Sequence, residues 1–216
     1  MKIKICGMKF PENIQEIAAW QPDYLGFIFY NKSKRFVLND TNQIESFYKS
    51  VQNISPFIAK VGVFVNDEIK NIIKYSVDFD LQYVQLHGDE SPDFCESLNF
   101  LDIKVIKAFG IDENFDFSVL DEYNDVCSYF LFDTKSPDYG GTGKKFNWNM
   151  LKKYHLNKPI FLSGGLDIAD ISTIHDLIKD INIHALDFNS KLEIDYGLKD
   201  VVKCKEAISM VKQIKK

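Results

Sequence analysis

With 216 residues, 45% of them apolar and 26% charged, the chain has the composition of an ordinary globular protein and the length to bury a sizeable core. A formal net charge of −5 and a pI near 5.4 exclude the basic footprint of a nucleic-acid binder. No apolar run approaches the ~18 residues of a membrane span and no charged-then-apolar leader opens the chain, so the expectation is a cytoplasmic protein with neither nucleic acid nor membrane as partner.

The elements alternate from the start. The first strand is "KIKIC" (2–6), followed by a helix over "PENIQEIAAW" with Pro11 in its first turn. "YLGFIF" (24–29) is the second strand, and "NDTNQIESFYKSVQ" a helix capped by Asn39 or Asp40. "IAKVGVFV" (58–65) leads to "NDEIKNIIKYS", starting at Asn66 or Asp67. "LQYVQLH" (81–87) leads to "SPDFCESLN", where Ser91 before Pro92 is a cap and first-turn pair. The remaining strands are "IKVIKAF" (103–109), "YFLFD" (129–133), "PIFLS" (159–163) and "HALDF" (184–188). Their helices are "ENFDFSVLDEY", "FNWNMLKKYH", "DIADISTIHDLI" and the terminal "LKDVVKCKEAISMVKQIKK".

Strict alternation of strand and helix predicts βαβ units and a parallel sheet. Eight such units in a chain of this length fit a closed (β/α)₈ TIM barrel, an α/β fold, with a doubly wound open sheet as the other arrangement. No composition shift or Pro/Ser-rich linker divides the chain, which predicts a single domain over 1–216. In a barrel of this kind chemistry sits at the C-terminal ends of the strands.

Cys6 ends the first strand, and alternation puts Lys2, Lys4 and Cys6 on one face, with Ile3 and Ile5 on the other. A buried Lys4 ammonium beneath Cys6 would favour a thiolate. Asp133 follows four apolar residues at the end of the sixth strand, a place suited to a general acid or base. His87, before Gly88, ends the fourth strand and could hydrogen-bond a substrate or serve the structure. Arg35 is the single arginine among 26 basic residues and lies in the second strand-to-helix loop. An arginine kept against a lysine-rich background suits a bidentate grip on a carboxylate.

The loop "KSPDYGGTGKKFNW" fails the P-loop pattern, because Asp138 and Lys145 stand where Gly and Ser or Thr are required. It reads as a glycine-rich loop over a barrel mouth. Gly164 and Gly165 follow the seventh strand, and Asn189 and Ser190 follow the eighth. These are the positions at which (β/α)₈ barrels recurrently hold phosphate. Cys6, Cys95, Cys127 and Cys204 form no C-x-x-C pair, and the four histidines show no metal-ligand spacing.

Taken in order, "KICGM", "GFIFYNKSKRFV", "VGVFVN", "VQLHGDES", "FDT…GGTGKKFNW", "LSGGL" and "YGLKD" resemble the phosphoribosylanthranilate isomerases of tryptophan biosynthesis over nearly the whole chain. The resemblance implies an Amadori rearrangement of N-(5-phosphoribosyl)anthranilate to 1-(2-carboxyphenylamino)-1-deoxyribulose 5-phosphate, with no metal or organic cofactor. It implies Asp133 as general acid, Cys6 as general base, and Arg35 on the anthranilate carboxylate. Gly164, Gly165, Asn189 and Ser190 would hold the phosphate, and the protein would act as a monomer or homodimer on a phosphorylated aminosugar. One motif departs: "DFNSKLE" stands where the family usually has Asp-x-Ser-Ser-Gly-x-Glu, so Lys191 replaces a glycine and would be strained if that position needed φ > 0. The alternatives are a related sugar-phosphate barrel enzyme and a barrel that binds a phosphorylated ligand without catalysis.

Overall fold

Short β-branched and aromatic runs become eight parallel strands: β1 (Lys2–Ile5), β2 (Tyr24–Ile28), β3 (Ala59–Phe64), β4 (Tyr83–Leu86), β5 (Lys104–Ile111), β6 (Tyr129–Thr134), β7 (Ile160–Leu162) and β8 (Ile183–Phe188). They pair in chain order, and β1 pairs with β8 to close the barrel. The open doubly wound alternative is thereby excluded. The computed structural model describes residues 1–39, 43–135, 145–177 and 181–214. Most of the glycine-rich loop after β6, together with Asp40, lies outside the described residues.

Period-2 alternation separates two cores. Outward side chains such as Ile3, Ile5, Leu25, Phe27, Val84 and Leu86 are fully buried or nearly so beneath the helices. Inward side chains Tyr24, Val61, Ile106, Leu131, Phe161 and Ala185 fill the barrel as a separate cluster. Above this apolar floor the inward positions become polar: Lys4, Gln85 and Asp187 are all buried. That step from apolar to polar marks where packing ends and the site begins.

The helices are α1 (Pro11–Ala18), α2 (Ile44–Gln52), α3 (Ile69–Asp78), α4 (Pro92–Asn99), α5 (Ile171–Leu177) and α6 (Val201–Gln213). Pro11 opens α1, and the Ser91 hydroxyl accepts from the Phe94 N–H at 3.2 Å to cap α4, as the sequence predicts. Other starts differ. Gln43 stands at the N-cap of α2. Asn66 is held at φ +49°, so α3 starts from Glu68 instead. The expected helices after β5 and β6 are 3₁₀ segments, Phe117–Tyr123 and Trp148–Lys153. Each follows an Asp116 or Asn147 side chain that accepts from the N–H two residues on, a tight turn that competes with an α-helical start.

The terminal helix starts later than expected, at Val201, where the Asp200 carboxylate takes the N–H groups of Val202 and Lys203. The residues before it form a small antiparallel hairpin, β9 (Glu193–Asp195) and β10 (Leu198–Lys199), which the sequence reading missed. Gly197 turns it at φ +82°. The hairpin brings Glu193 and Lys199 to the barrel mouth.

Candidate active site

Cys6 follows β1 and is 4% exposed. Its N–H donates to the Phe188 carbonyl at 2.8 Å, which anchors it to the end of β8. Room for the thiol comes from Gly26 on β2, where an added Cβ would stand 2.8 Å from Sγ. Lys4 lies two residues below, fully buried. Its ammonium donates to Asp187 Oδ1 at 3.0 Å and to Gln85 Oε1 at 2.9 Å. Burial draws the Lys4 ammonium down, but Asp187 and Cys6 outweigh it and hold the group charged, above its ordinary value.

The expected activation of the thiol by Lys4 is present but outweighed. Burial pushes the Cys6 thiol up, Lys4 pulls it down, and Asp187 adds to the rise, leaving the net direction upward. Lys4 lies beneath Cys6 as strand alternation places it, but burial of the thiol is the larger influence and Asp187 pairs with the cation.

Across the ring, Asp133 sits near the end of β6, three strands from β1 one way and five the other. Its Oδ1 accepts from the Thr134 N–H at 2.7 Å, and its Oδ2 lies 3.4 Å from His87 Nε2. The other ring nitrogen of His87, Nδ1, meets Gln85 Nε2 at 2.7 Å. A polar path therefore runs under the mouth from Asp187 through Lys4, Gln85 and His87 to Asp133. Sequence reasoning missed Gln85, although two-residue alternation from His87 places it on the same inward face.

Arg35 is 7% exposed, and its Nε and Nη2 donate to Glu193 Oε1 and Oε2 at 2.8 and 2.6 Å. Lys199 donates to the same Glu193 at 2.8 Å and to Asn189 Oδ1 at 2.7 Å. Burial works to raise Glu193, but the two cations prevail and hold its carboxyl below the ordinary range. The bidentate edge of Arg35 predicted for a ligand carboxylate is thus engaged by the protein's own Glu193. Tyr196 stacks with the guanidinium at 5.0 Å.

Gly7 packs these pieces together. At φ +74°, its missing Cβ would meet Asn189 Oδ1 at 2.6 Å and Arg35 Cδ at 2.8 Å. Cys6, Arg35 and Asn189 therefore converge at one side of the mouth. Gly164 and Gly165, at φ +92° and +64°, follow β7, and Gly164 lies against Thr134 beside Asp133. Ser190 starts a 3₁₀ turn with Lys191 and Leu192. Lys191 is not in the left-handed region, so its replacement of the usual glycine carries no backbone strain. Among the described residues, no three His, Cys, Asp or Glu side chains are grouped to hold a metal ion, and no helix is long and apolar enough to cross a membrane.

A closed (β/α)₈ barrel with a thiol, a carboxyl, an arginine and glycine turns gathered at the C-terminal ends of its strands has the arrangement of a (β/α)₈-barrel enzyme. The profile of the N-(5′-phosphoribosyl)anthranilate isomerase family matches residues 3–210. The N-(5′-phosphoribosyl)anthranilate isomerase of Parabacteroides distasonis is 41% identical over 98% of this chain and 93% of its own. The crystal structure of phosphoribosyl anthranilate isomerase from Thermotoga maritima superposes with a TM-score of 0.82 at 32% identity over 98% of both chains. A phosphoribosyl anthranilate isomerase solved in complex with reduced 1-(o-carboxyphenylamino)-1-deoxyribulose 5-phosphate superposes with a TM-score of 0.80 at 29% identity over 98% of both chains. The chain belongs to the N-(5′-phosphoribosyl)anthranilate isomerase family.

Proposed function

We propose that the chain, acting as one domain in the cytoplasm, carries out the family's aldose-to-ketose rearrangement with Asp133 as general acid and Cys6 as general base. The observation that carries this reading is the placement of the two groups at opposite sides of one mouth, each seated by backbone hydrogen bonds. Asp133 donates a proton to the furanose ring oxygen of N-(5-phosphoribosyl)anthranilate, and the C1–O bond breaks to give a protonated Schiff base. Cys6, through the thiolate that the Lys4 ammonium favours against burial, removes the C2 proton to give an enolamine, and protonation at C1 with loss of the C2 hydroxyl proton completes the ketone. No atom is gained or lost, so no co-reactant is needed.

Binding follows from charge and backbone geometry. Arg35 stays paired with Glu193 through Nε and Nη2, so the anthranilate carboxylate meets the edge that carries Nη1. Gly164, Gly165 and the Asn189–Ser190 turn offer backbone N–H groups to the phosphate. Every group named comes from one chain.

The test is turnover of freshly prepared N-(5-phosphoribosyl)anthranilate, followed by loss of its fluorescence. Cys6→Ser and Asp133→Asn should each cost about 10²–10⁴ in kcat, the usual worth of a general acid or base, with melting temperatures close to the parent's. Unchanged turnover in both variants would remove the assignment. A parent without turnover would favour the ligand-binding alternative.

A further inference from the structure

The hydrogen bonds between Lys4 and His87 have forced directions. An ammonium can only donate, so the end of Gln85 facing Lys4 Nζ at 2.9 Å is its carbonyl oxygen. The other end is then the NH₂ group, which donates to His87 Nδ1 at 2.7 Å. That nitrogen must carry a lone pair, and the ring proton of neutral His87 therefore sits on Nε2, the atom 3.4 Å from Asp133 Oδ2. Lys4 itself cannot turn away, because Asp187 holds it at 3.0 Å within the barrel.

We propose that Lys4 and Gln85 are positioning residues that fix the tautomer of His87, so that its Nε2–H is the donor that orients the Asp133 carboxyl. This rests on the assignment of Asp133 as the acid.

The chemistry favours a neutral donor at this place. Asp133 must hold a proton until the ring oxygen takes it. An imidazolium 3.4 Å away would favour the carboxylate by direct Coulomb attraction. A neutral ring holds its Nε2–H 3.4 Å from Oδ2, longer than a formed hydrogen bond, while the Thr134 N–H fixes Oδ1 at 2.7 Å, and it adds no full charge. A second proton on His87 Nδ1 would point at the Gln85 NH₂ group, one donor against another. Closing the Nε2–Oδ2 gap to hydrogen-bond length as substrate binds is the step by which the ring would orient the carboxyl. The charged and titratable groups facing His87 are Asp133 across the 3.4 Å gap and, through Gln85, the Lys4–Asp187 pair.

Long-range ¹H–¹⁵N correlation of the imidazole rings reads the tautomer directly, with the His87 signals assigned by their loss in His87→Gln. The expected parent spectrum has Nδ1 unprotonated and Nε2 protonated. Gln85→Glu, nearly isosteric, replaces the donor with an acceptor and should move a proton onto Nδ1. With that shift kcat should fall about tenfold or more, KM should change less than about twofold, and the pH–rate profile should move. A parent ring protonated on Nδ1 overturns the inference, and so does a Gln85→Glu enzyme with parental kcat. Asp133→Asn separates the two claims: full turnover there would remove the acid assignment while leaving the tautomer reading to the spectrum.

Discussion

Gly26 and Cys6 share a space that only one of them can fill: a Cβ on Gly26 would stand 2.8 Å from the Cys6 sulfur and 3.1 Å from its Cα. The sulfur could rotate away, but the Cα is backbone, so β1 and β2 would have to part. Gly26→Ala should therefore cost about 1–3 kcal/mol of stability by overpacking. Because the displaced group is the proposed base, kcat should fall about tenfold or more, since a displacement of an ångström is enough to spoil a reacting geometry. Thermal melting and turnover on the same sample check both; a variant with parental kcat would show that Sγ has room to spare.

Two of the interactions of Lys4, with the Cys6 thiol and with Asp187, are exposed by one substitution. Lys4→Met removes the cation that pulls the Cys6 thiol down, while burial, the largest influence, continues to push it up. The parent thiol should alkylate with a midpoint above its ordinary 9.0, and the variant's midpoint should lie higher still. Asp187 loses its partner while 5% exposed, which should cost about 3–5 kcal/mol in unfolding free energy. Alkylation rates against pH, with Cys6→Ser as the blank, and urea denaturation measure the two effects. An unchanged alkylation profile would mean that Lys4 does not act on the thiol.

Gly164 tests the proposed phosphate turn. It sits at φ +92°, and a Cβ there would approach Thr134 N to 2.9 Å and Oγ1 to 2.6 Å. Gly164→Ala should lose about 1–3 kcal/mol of stability from the strained backbone. If the turn holds the phosphate, KM should rise more than kcat falls, and competitive inhibition by inorganic phosphate should weaken. Equal inhibition of parent and variant would place the phosphate elsewhere.

What was legible in the sequence follows from the range of each signal. Strand alternation is local, so Lys4 and Cys6 could be set on one face, and the barrel strands fall within two residues of their expected bounds. The partners of those residues could not be read, because Asp187 lies 183 positions from Lys4 and Glu193 lies 158 from Arg35. Only closure of the barrel and folding of the β9–β10 hairpin bring them together. Strands of three and two residues carry too little periodicity to be seen, so β10 falls inside the expected terminal helix, β9 is not anticipated, and Lys199 is not singled out as a site residue. Helix starts differ for a related reason: Asn66 looks like a cap, yet its side-chain Oδ1 accepts from the Asp89 N–H at 2.7 Å, 23 residues away, and is not available to a helix start.

The Arg35–Glu193–Lys199 cluster gives stability a defined pH dependence. Burial favours the neutral acid, but the two cations hold folded Glu193 below its ordinary 4.5. Above 4.5 the carboxylate is ionised whether the chain is folded or not, and the contribution is complete. As pH falls below that value the unfolded chain binds a proton that the folded chain refuses, so stability is lost progressively until folded Glu193 protonates as well. Glu193→Gln removes this proton linkage and leaves two buried cations with a weaker acceptor. At pH 7 it should be less stable by about 3 kcal/mol, and its melting temperature should fall less steeply than the parent's below pH 4.5. The same substitution frees the Nε edge of Arg35 to seek another carboxylate, so KM should change along with stability. Melting curves of the two proteins from neutral to acid pH decide the matter, and parallel acid limbs would show that Glu193 is not the group in control.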